Sequence, residues 1–167
     1  KRQLFFLGAG LDALVDDMMV VAKARIAIPT TGTYTFGVNA DDGFALRIVG
    51  ANAFRRISGT ADAAIDASQP NTIYRTGGTA SVRAVIDLQA GEYEVHFAFY
   101  ERGGTAGFEL FSAAGDLTNE ADSTAWRVVG HASSGGLALV RQYVPPATPP
   151  VVSDFTINPA TGAFSFS

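Results

Sequence analysis

The sequence predicts an all-β fold, an antiparallel β-sandwich or barrel. Apolar and polar residues alternate with a period of two in several short segments, as they do in strands that bury one face. Turn-forming residues separate these segments, and the chain contains 18 Gly and 7 Pro. Aromatic residues, which favour strands, are frequent, with 12 Phe and 5 Tyr. Together these features favour a fold of strands and turns over a helical bundle.

The alternating segments are each predicted to form a strand that turns its apolar side chains toward the core. They span residues 20–28, 33–39, 44–49, 81–88, 92–100 and 106–112. A further strand is predicted around 126–129, with Trp126 in the core, because a lone Trp in a small sandwich is usually interior. Short helices are predicted at Asp12–Asp17 and Ala61–Ser68. The second of these lies in 58–78, which is predicted to be a long excursion between strands.

The length of the chain bounds its organisation. The 167 residues suffice for one domain of about 100–150 residues with an appendage. We predict a domain over 1–143 and a Pro-rich linker over 144–152, which includes four of the seven prolines. Residues 153–167 contain two alternating segments around a turn, and we predict the truncated start of a following β domain. The chain begins without Met, so we expect it to be part of a larger protein.

Composition excludes several classes of function. The 12 basic and 16 acidic residues give a net charge of −4, which disfavours binding to nucleic acid phosphates. The chain has no cysteine, so it has neither thiol nucleophiles nor thiolate metal sites, and any extracellular role relies on a core or bound ions instead of disulfides. The apolar runs are shorter than the roughly 20 residues that span a bilayer, so membrane insertion is not expected.

Two adjacent carboxylates form the most informative local feature. Asp41 and Asp42 lie in the tight turn 40–43 between two predicted strands. Adjacent carboxylates repel unless something neutralises them. Ca²⁺ would do so, but it takes 6–8 oxygen ligands, so backbone carbonyls, Asn39 and another loop would have to complete the shell. The alternative is that both aspartates simply face water, since Asp and Gly are ordinary turn residues.

Two blocks of sequence carry a family resemblance. The chain reads YTFGVNADDGFALRIVG over 34–50 and LQAGEYEVHFAFYERGGTAGFEL over 88–110. Their order resembles the PA14 domain, and the resemblance covers roughly 20–139. It implies a jelly-roll-like β-sandwich or barrel of the kind found in bacterial surface proteins, adhesins and glycosidase inserts. We therefore expect a non-catalytic carbohydrate-binding or adhesion module of a larger extracellular or cell-surface bacterial protein, with a glycan or glycoconjugate and neighbouring domains of the same chain as partners.

The resemblance also implies a site. In lectin-type members, two consecutive aspartates joined by a cis peptide hold a calcium ion that chelates sugar hydroxyls, and Asp41 and Asp42 match them. The second calcium-binding loop corresponds to 101–105, which lacks the asparagine ligand of the lectins. Arg102 could instead form an ion pair with one aspartate. The predicted calcium ligands are Asp41, Asp42 and Glu101, and the predicted ligand-binding residues are Asp41, Asp42, Arg102, Gly103 and Gly104.

Other polar residues form no convincing catalytic pattern. His96 and His131 share no metal-ligand spacing, and His96 is interpreted as a surface or satisfied histidine. A glycosidase pair would have to come from four glutamates: Glu92, Glu94, Glu101 and Glu109. We expect no enzyme activity. Two alternatives stay open: a structural spacer or protein-interaction module in which the aspartates only tie loops together, and an accessory domain of a glycoside hydrolase.

Overall fold

The fold is described from a computed structural model of the chain. The structure describes residues 16–119, 124–141, 155–157 and 164–166. Within these residues it contains thirteen β-strands and one short 3₁₀ helix, Ala132–Ser134. None of the helical structure described there is long and apolar enough to cross a membrane. The all-β prediction is confirmed.

The strands follow one another along the chain with short connections. Their bounds are β1 Met18–Ile28, β2 Gly32–Asp41, β3 Gly43–Val49, β4 Arg56–Gly59, β5 Ala64–Ile65, β6 Thr72–Arg75, β7 Ala80–Leu88, β8 Gly91–Glu101, β9 Gly107–Ala114, β10 Arg127–Val128, β11 Leu139–Arg141, β12 Phe155–Ile157 and β13 Phe164–Phe166. The predicted strand at 126–129 appears as the short β10.

These strands form two larger sheets, and every pairing is antiparallel. One sheet has six strands in the order β11-β1-β8-β3-β6-β5, and the other has five in the order β10-β9-β2-β7-β4. Strands β12 and β13 pair separately as a two-stranded ladder. The predicted linker 144–152 lies outside the described residues, so the division of the chain into domain, linker and stub stays a prediction.

One hydrophobic core joins the inner faces of the two sheets, which gives a β-sandwich. Phe108 on β9 contacts Phe97 and Phe99 on β8, with ring centroids 5.3 and 4.9 Å apart. The core residues on the two sheets are those that the alternating pattern places inward. They include Ile26, Ile28, Phe44, Leu46, Ile48, Val95, Phe97 and Phe99 on the six-stranded sheet, and Tyr34, Phe36, Val38, Val82, Ala84, Ile86 and Leu88 on the five-stranded sheet.

The helix predicted at Ala61–Ser68 is wrong. The chain forms the short strand β5 there and then β6, which pairs with β3. Ile65 on β5 pairs with the fully buried Ile73 on β6 and packs against the core, so tertiary packing overrides the weak helical preference of the local sequence. The predicted helix at Asp12–Asp17 lies outside the described residues except for its last two positions, which are not helical.

The prediction that Trp126 lies in the core is also wrong. Trp126 is half-buried and packs edge-on against Phe111, with ring centroids 5.1 Å apart at 84°. Leu110 and Phe108 face the core, so Phe111 points to the outer face of the five-stranded sheet. Trp126 directly precedes the two-residue edge strand β10 and packs against the ring of Phe111 on this outer face.

Gly37 makes room for the Phe111 ring on the outer face. A Cβ at Gly37 would lie 2.1 Å from Phe111 Cε2. Gly37→Ala is expected to lower the free energy of unfolding by about 1–3 kcal/mol, because the ring must leave both the sheet and Trp126. Gly32→Ala on the same strand is the matched control, since nothing lies within 4 Å of its Cβ position. Urea denaturation tests the pair, and equal stability of the two variants would contradict this packing.

Candidate functional site

Three loops and the start of β1 meet at one end of the sandwich because the strands that carry them are in antiparallel register. Asp41 at the end of β2 pairs with Gly107 at the start of β9. Gly43 at the start of β3 pairs with Tyr100 near the end of β8. Met18 at the start of β1 pairs with Glu101. The turn between β2 and β3, the loop between β6 and β7, and the loop between β8 and β9 therefore lie together.

Asp42 joins two of these loops through its carboxylate. The backbone N–H of Arg102 donates to Oδ2 and the backbone N–H of Gly78 donates to Oδ1, each at 2.9 Å. The Asp42 N–H donates to the Tyr100 carbonyl at 3.3 Å. The peptide bond between Asp41 and Asp42 is cis, as the resemblance implies. Asp42 is thus an acceptor for backbone groups that lie far apart in the sequence.

Asp41 has a less engaged carboxylate. The Thr105 hydroxyl donates to its Oδ2 at 3.3 Å, and the side chain is partly exposed. Arg102 approaches Asp42 through its backbone, and within the described residues its guanidinium forms no ion pair with Asp41 or Asp42. The ion pair considered as an alternative is therefore absent there, and the Arg102 side chain is exposed.

Glu101 is a buried acid at the end of β8. It is 1% exposed, its Oε1 accepts the Gly103 N–H at 2.8 Å, and its Oε2 is buried without a hydrogen-bond partner. Burial raises the pKa of the Glu101 carboxyl above its ordinary value, and the charges of Asp42, Asp41 and Asp16 raise it further. The charges of three other carboxylates therefore act on Glu101 at this end of the sandwich.

Asp16 belongs to this group, although sequence reasoning missed it. A Cβ built at Gly103 would lie 3.5 Å from Asp16 Oδ1, so the carboxylate rests against the loop between β8 and β9. Among the described residues, no hydrogen bond or ion pair engages this exposed side chain. No motif marks Asp16, and only the pairing of Met18 with Glu101 brings it to the site.

The loop between β6 and β7 was also missed. The Tyr100 hydroxyl donates to the Thr76 carbonyl, and Arg75 donates to the carbonyls of Gly78 and, at 3.3 Å, Ala61. Burial and the Asp42 charge raise the pKa of Tyr100. The Gly77-Gly78 pair after a strand was the available signal, since such pairs mark turns. These contacts hold the N–H of Gly78 in place for Asp42.

The oxygen donors at this end fit a hard cation such as Ca²⁺, which prefers carboxylate and carbonyl oxygens. The unpartnered Oε2 of Glu101 has lost water without gaining a partner, and a cation beside it would offset that loss. Across the part of the chain that the structure describes, no three acidic or histidine side chains already form a metal cage. Backbone carbonyls, water or a bound ligand would therefore have to complete the shell.

The other candidate acids lie on the strands and not in the loops at this end. His96 is mostly buried and forms a hydrogen bond with Glu94, which lowers the pKa of Glu94. Glu92 forms an exposed ion pair with an arginine. Asn39, considered for the calcium shell, instead donates to Glu109 at 3.1 Å on the outer face of the five-stranded sheet. These contacts hold the acids in local pairs along the sheets.

The protein is thus an antiparallel β-sandwich that carries acidic residues in the loops at one end. Residues 18–113 match the GLEYA domain, which has a PA14-like fold, and the chain belongs to this family. The PA14-like resemblance is thereby confirmed. Such domains are associated with carbohydrate binding or adhesion, are typically non-catalytic binding modules, and occur in extracellular or surface proteins.

Comparison with solved structures gives a match to the crystal structure of the PA14 domain of the MpAFP antifreeze protein. The two chains are 19% identical with a TM-score of 0.46, and the match covers 68% of this chain and 48% of the other. The match thus spans about half the length of that chain. No curated protein matches the sequence.

Replacing Asp42 is expected to loosen both loops that it joins. Asp42→Ala leaves the N–H groups of Gly78 and Arg102 without their acceptor, and it should lower the free energy of unfolding by about 1–3 kcal/mol. Asp41→Ala is the matched control, because it relieves the same carboxylate repulsion and loses only the Thr105 contact. Urea denaturation and amide exchange at Gly78 and Arg102 measure the difference. Equal losses in the two variants would contradict the assignment.

The raised pKa of Glu101 predicts a pH dependence of stability in protein freed of metal by a chelator. The native state holds the Glu101 proton more tightly than the unfolded chain, whose carboxyl has the ordinary value of 4.5. The free energy of unfolding should therefore fall as pH rises from about 4.5 through the raised native pKa. Glu101→Gln should remove this fall.

The control for this experiment is Glu92→Gln, which removes the same charge at the other end of β8. It should keep the fall in stability that the native protein shows between pH 4.5 and 7. Thermal unfolding across that range checks both variants. A Glu101→Gln protein with an unchanged pH profile would show that Glu101 ionises as freely in the native state as in the unfolded chain.

Proposed function

We propose that this chain is a non-catalytic module of a larger extracellular or cell-surface bacterial protein, and that it binds glycans through a calcium ion held at Asp41 and Asp42. The observation that carries the proposal is the placement of paired carboxylates, one partly open, beside a buried carboxylate oxygen that lacks a partner. The membership in a family associated with carbohydrate binding or adhesion supports the same function.

The protein would hold the ion mainly with carboxylates. Asp41 and Glu101 each have oxygens that accept few or no hydrogen bonds, and Asp42 can use remaining lone pairs while it keeps its two N–H donors. The carbonyls of Gly103 and Gly104 are further oxygen donors on the neighbouring loop. When bound, Ca²⁺ supplies open coordination positions for hydroxyl oxygens of a sugar.

The loop between β8 and β9 suits contact with a ligand. Arg102 to Thr105 are exposed, and Gly103 and Gly104 carry no side chains that would cover the ion. Gly104 has φ of +103°, a conformation that favours glycine. The exposed Arg102 guanidinium offers a fork of donors to sugar hydroxyls or to a sugar carboxylate. Binding energy would then come from the ion and from directed hydrogen bonds together.

A second candidate function is a structural spacer or protein-interaction module that binds no sugar. One observation favours it: both oxygens of Asp42 already tie loops together without an ion. In this function the turn that contains Asp41 and Asp42 would only hold the neighbouring loops in place. The accessory role in a glycoside hydrolase has no observation of its own in the described residues.

Binding to a glycan array, with and without a chelator, tests the proposed function. The native protein should bind a defined set of sugars in the presence of calcium. Its binding signal on the array should fall at least tenfold when a chelator is added. Asp41→Asn should bind no more than the chelated protein, because it removes one charged ligand yet keeps an oxygen for the Thr105 hydroxyl. Far-UV circular dichroism should show that this variant folds.

The control is Glu92→Gln, which removes an acid at the opposite end of β8 from Glu101 and should keep native binding. Absence of chelator-sensitive binding to any sugar would favour the spacer function. Sugar binding that survives both the chelator and Asp41→Asn would place the glycan elsewhere on the domain.

A further inference from the structure

Asp16 lies where it can extend the cation site to the beginning of β1. Its carboxylate rests against Gly103, in the same loop that Glu101, Asp41 and Asp42 hold by hydrogen bonds. Gly103 therefore links Asp16 to Glu101, because its N–H is the donor to Glu101 Oε1.

A cluster of acids alone would be an ordinary solvated surface, but one member here is not solvated. Glu101 is 1% exposed and its Oε2 has no hydrogen-bond partner. The charges that act on this carboxyl are those of Asp42, Asp41 and Asp16. A buried, unpartnered oxygen amid three further carboxylates is an arrangement that a cation stabilises and that water cannot reach.

Among the described residues, the nearby positive groups form no ion pair with the two turn aspartates. The Arg75 guanidinium is directed to the carbonyls of Gly78 and Ala61. Arg102 meets Asp42 through its backbone N–H. The negative charge at this end is therefore available to a mobile cation.

We propose that Asp16 is a further carboxylate of the cation site, so that calcium binding ties the start of β1 to the loop between β8 and β9. This inference rests on the proposed calcium site and adds to it a residue from a different part of the chain. Asp16 is exposed and can turn toward the ion, whereas Glu101 is fixed by the Gly103 N–H. The site would thus combine fixed acids with one that closes onto the bound ion.

The proposal has two consequences. The affinity for calcium should depend on the charge of Asp16, because affinity for this ion follows the number of charged ligands. Calcium should also reduce the motion of the backbone where β1 begins, since an ion that contacts Asp16 holds that position against the loop. Neither consequence follows if the ion is held by the turn and the loop between β8 and β9 alone.

Titration calorimetry with Ca²⁺ on chelator-treated full-length chain tests the first consequence. Asp16→Asn should weaken calcium binding about three- to tenfold. The matched control is Asp17→Asn, which removes the neighbouring charge and should change the affinity by less than about twofold. Asp17 has φ of +56°, a conformation that Asn adopts readily, so the control should fold. Asp41→Asn serves as the reference for loss of the site itself.

Amide hydrogen exchange tests the second consequence without relying on affinity. Saturating Ca²⁺ should slow exchange at Asp17 and Met18 in the native protein and in Asp17→Asn, and should leave it unchanged in Asp16→Asn. Native-like affinity and native-like slowing in Asp16→Asn would overturn the role of Asp16 while leaving the proposed calcium site intact. Absence of calcium binding to the native protein, with no difference from Asp41→Asn, would overturn both.

Discussion

Crowded negative charge at one end of the sandwich is the constraint on which the rest of the site depends. The charges of Asp41 and Asp42 act on Glu101, which is buried at the end of β8. Each accepts a hydrogen bond from the loop between β8 and β9, from Thr105, Arg102 and Gly103 respectively. Charged acceptors make stronger hydrogen bonds than neutral ones, so the acids that repel one another also organise the loop around them.

The two sheets make this crowding possible by fixing where the loops begin and end. The register of β2 with β9 and the register of β3 with β8 place the ends of their loops at the same end of each sheet. Hydrophobic packing between the sheets then holds the two pairs together. Tyr100 adds a local link, because its ring lies where a side chain on Gly43 would stand. The core thus supplies the rigidity that a set of mutually repelling groups needs.

The same arrangement relates the structural role of the acids to their proposed binding role. Asp42 is committed to the loops through both oxygens, whereas Asp41 and Glu101 retain oxygens with few or no partners. The hydrogen bonds of Asp42 hold the loops without an ion, and the proposed ion would use the remaining oxygens. The exposed loop with Arg102 and two glycines would then leave space beside that ion for a ligand.

Local sequence patterns predict the long strands and draw attention to the pair Asp41 and Asp42. Alternation with a period of two identified the long strands and their buried faces, because that pattern is local and survives any tertiary arrangement. The PA14-like blocks identified Asp41, Asp42 and the loop that begins at Glu101. The strand β6 was missed because its four residues are too few to show a period. The helix predicted at Ala61–Ser68 does not form because Ile65 packs against the core as part of β5.

The residues that contact these acids come from distant parts of the chain. Asp42 and Arg102 are 60 residues apart, and Asp42 and Gly78 are 36 apart, so no local pattern connects them. Asp16 reaches the loop through the pairing of β1 with β8, and Asn39 turns to Glu109 because alternation on β2 points it outward. Short-range periodicity determines which face of a strand is buried, whereas the meeting of loops depends on strand register and packing across the whole sandwich.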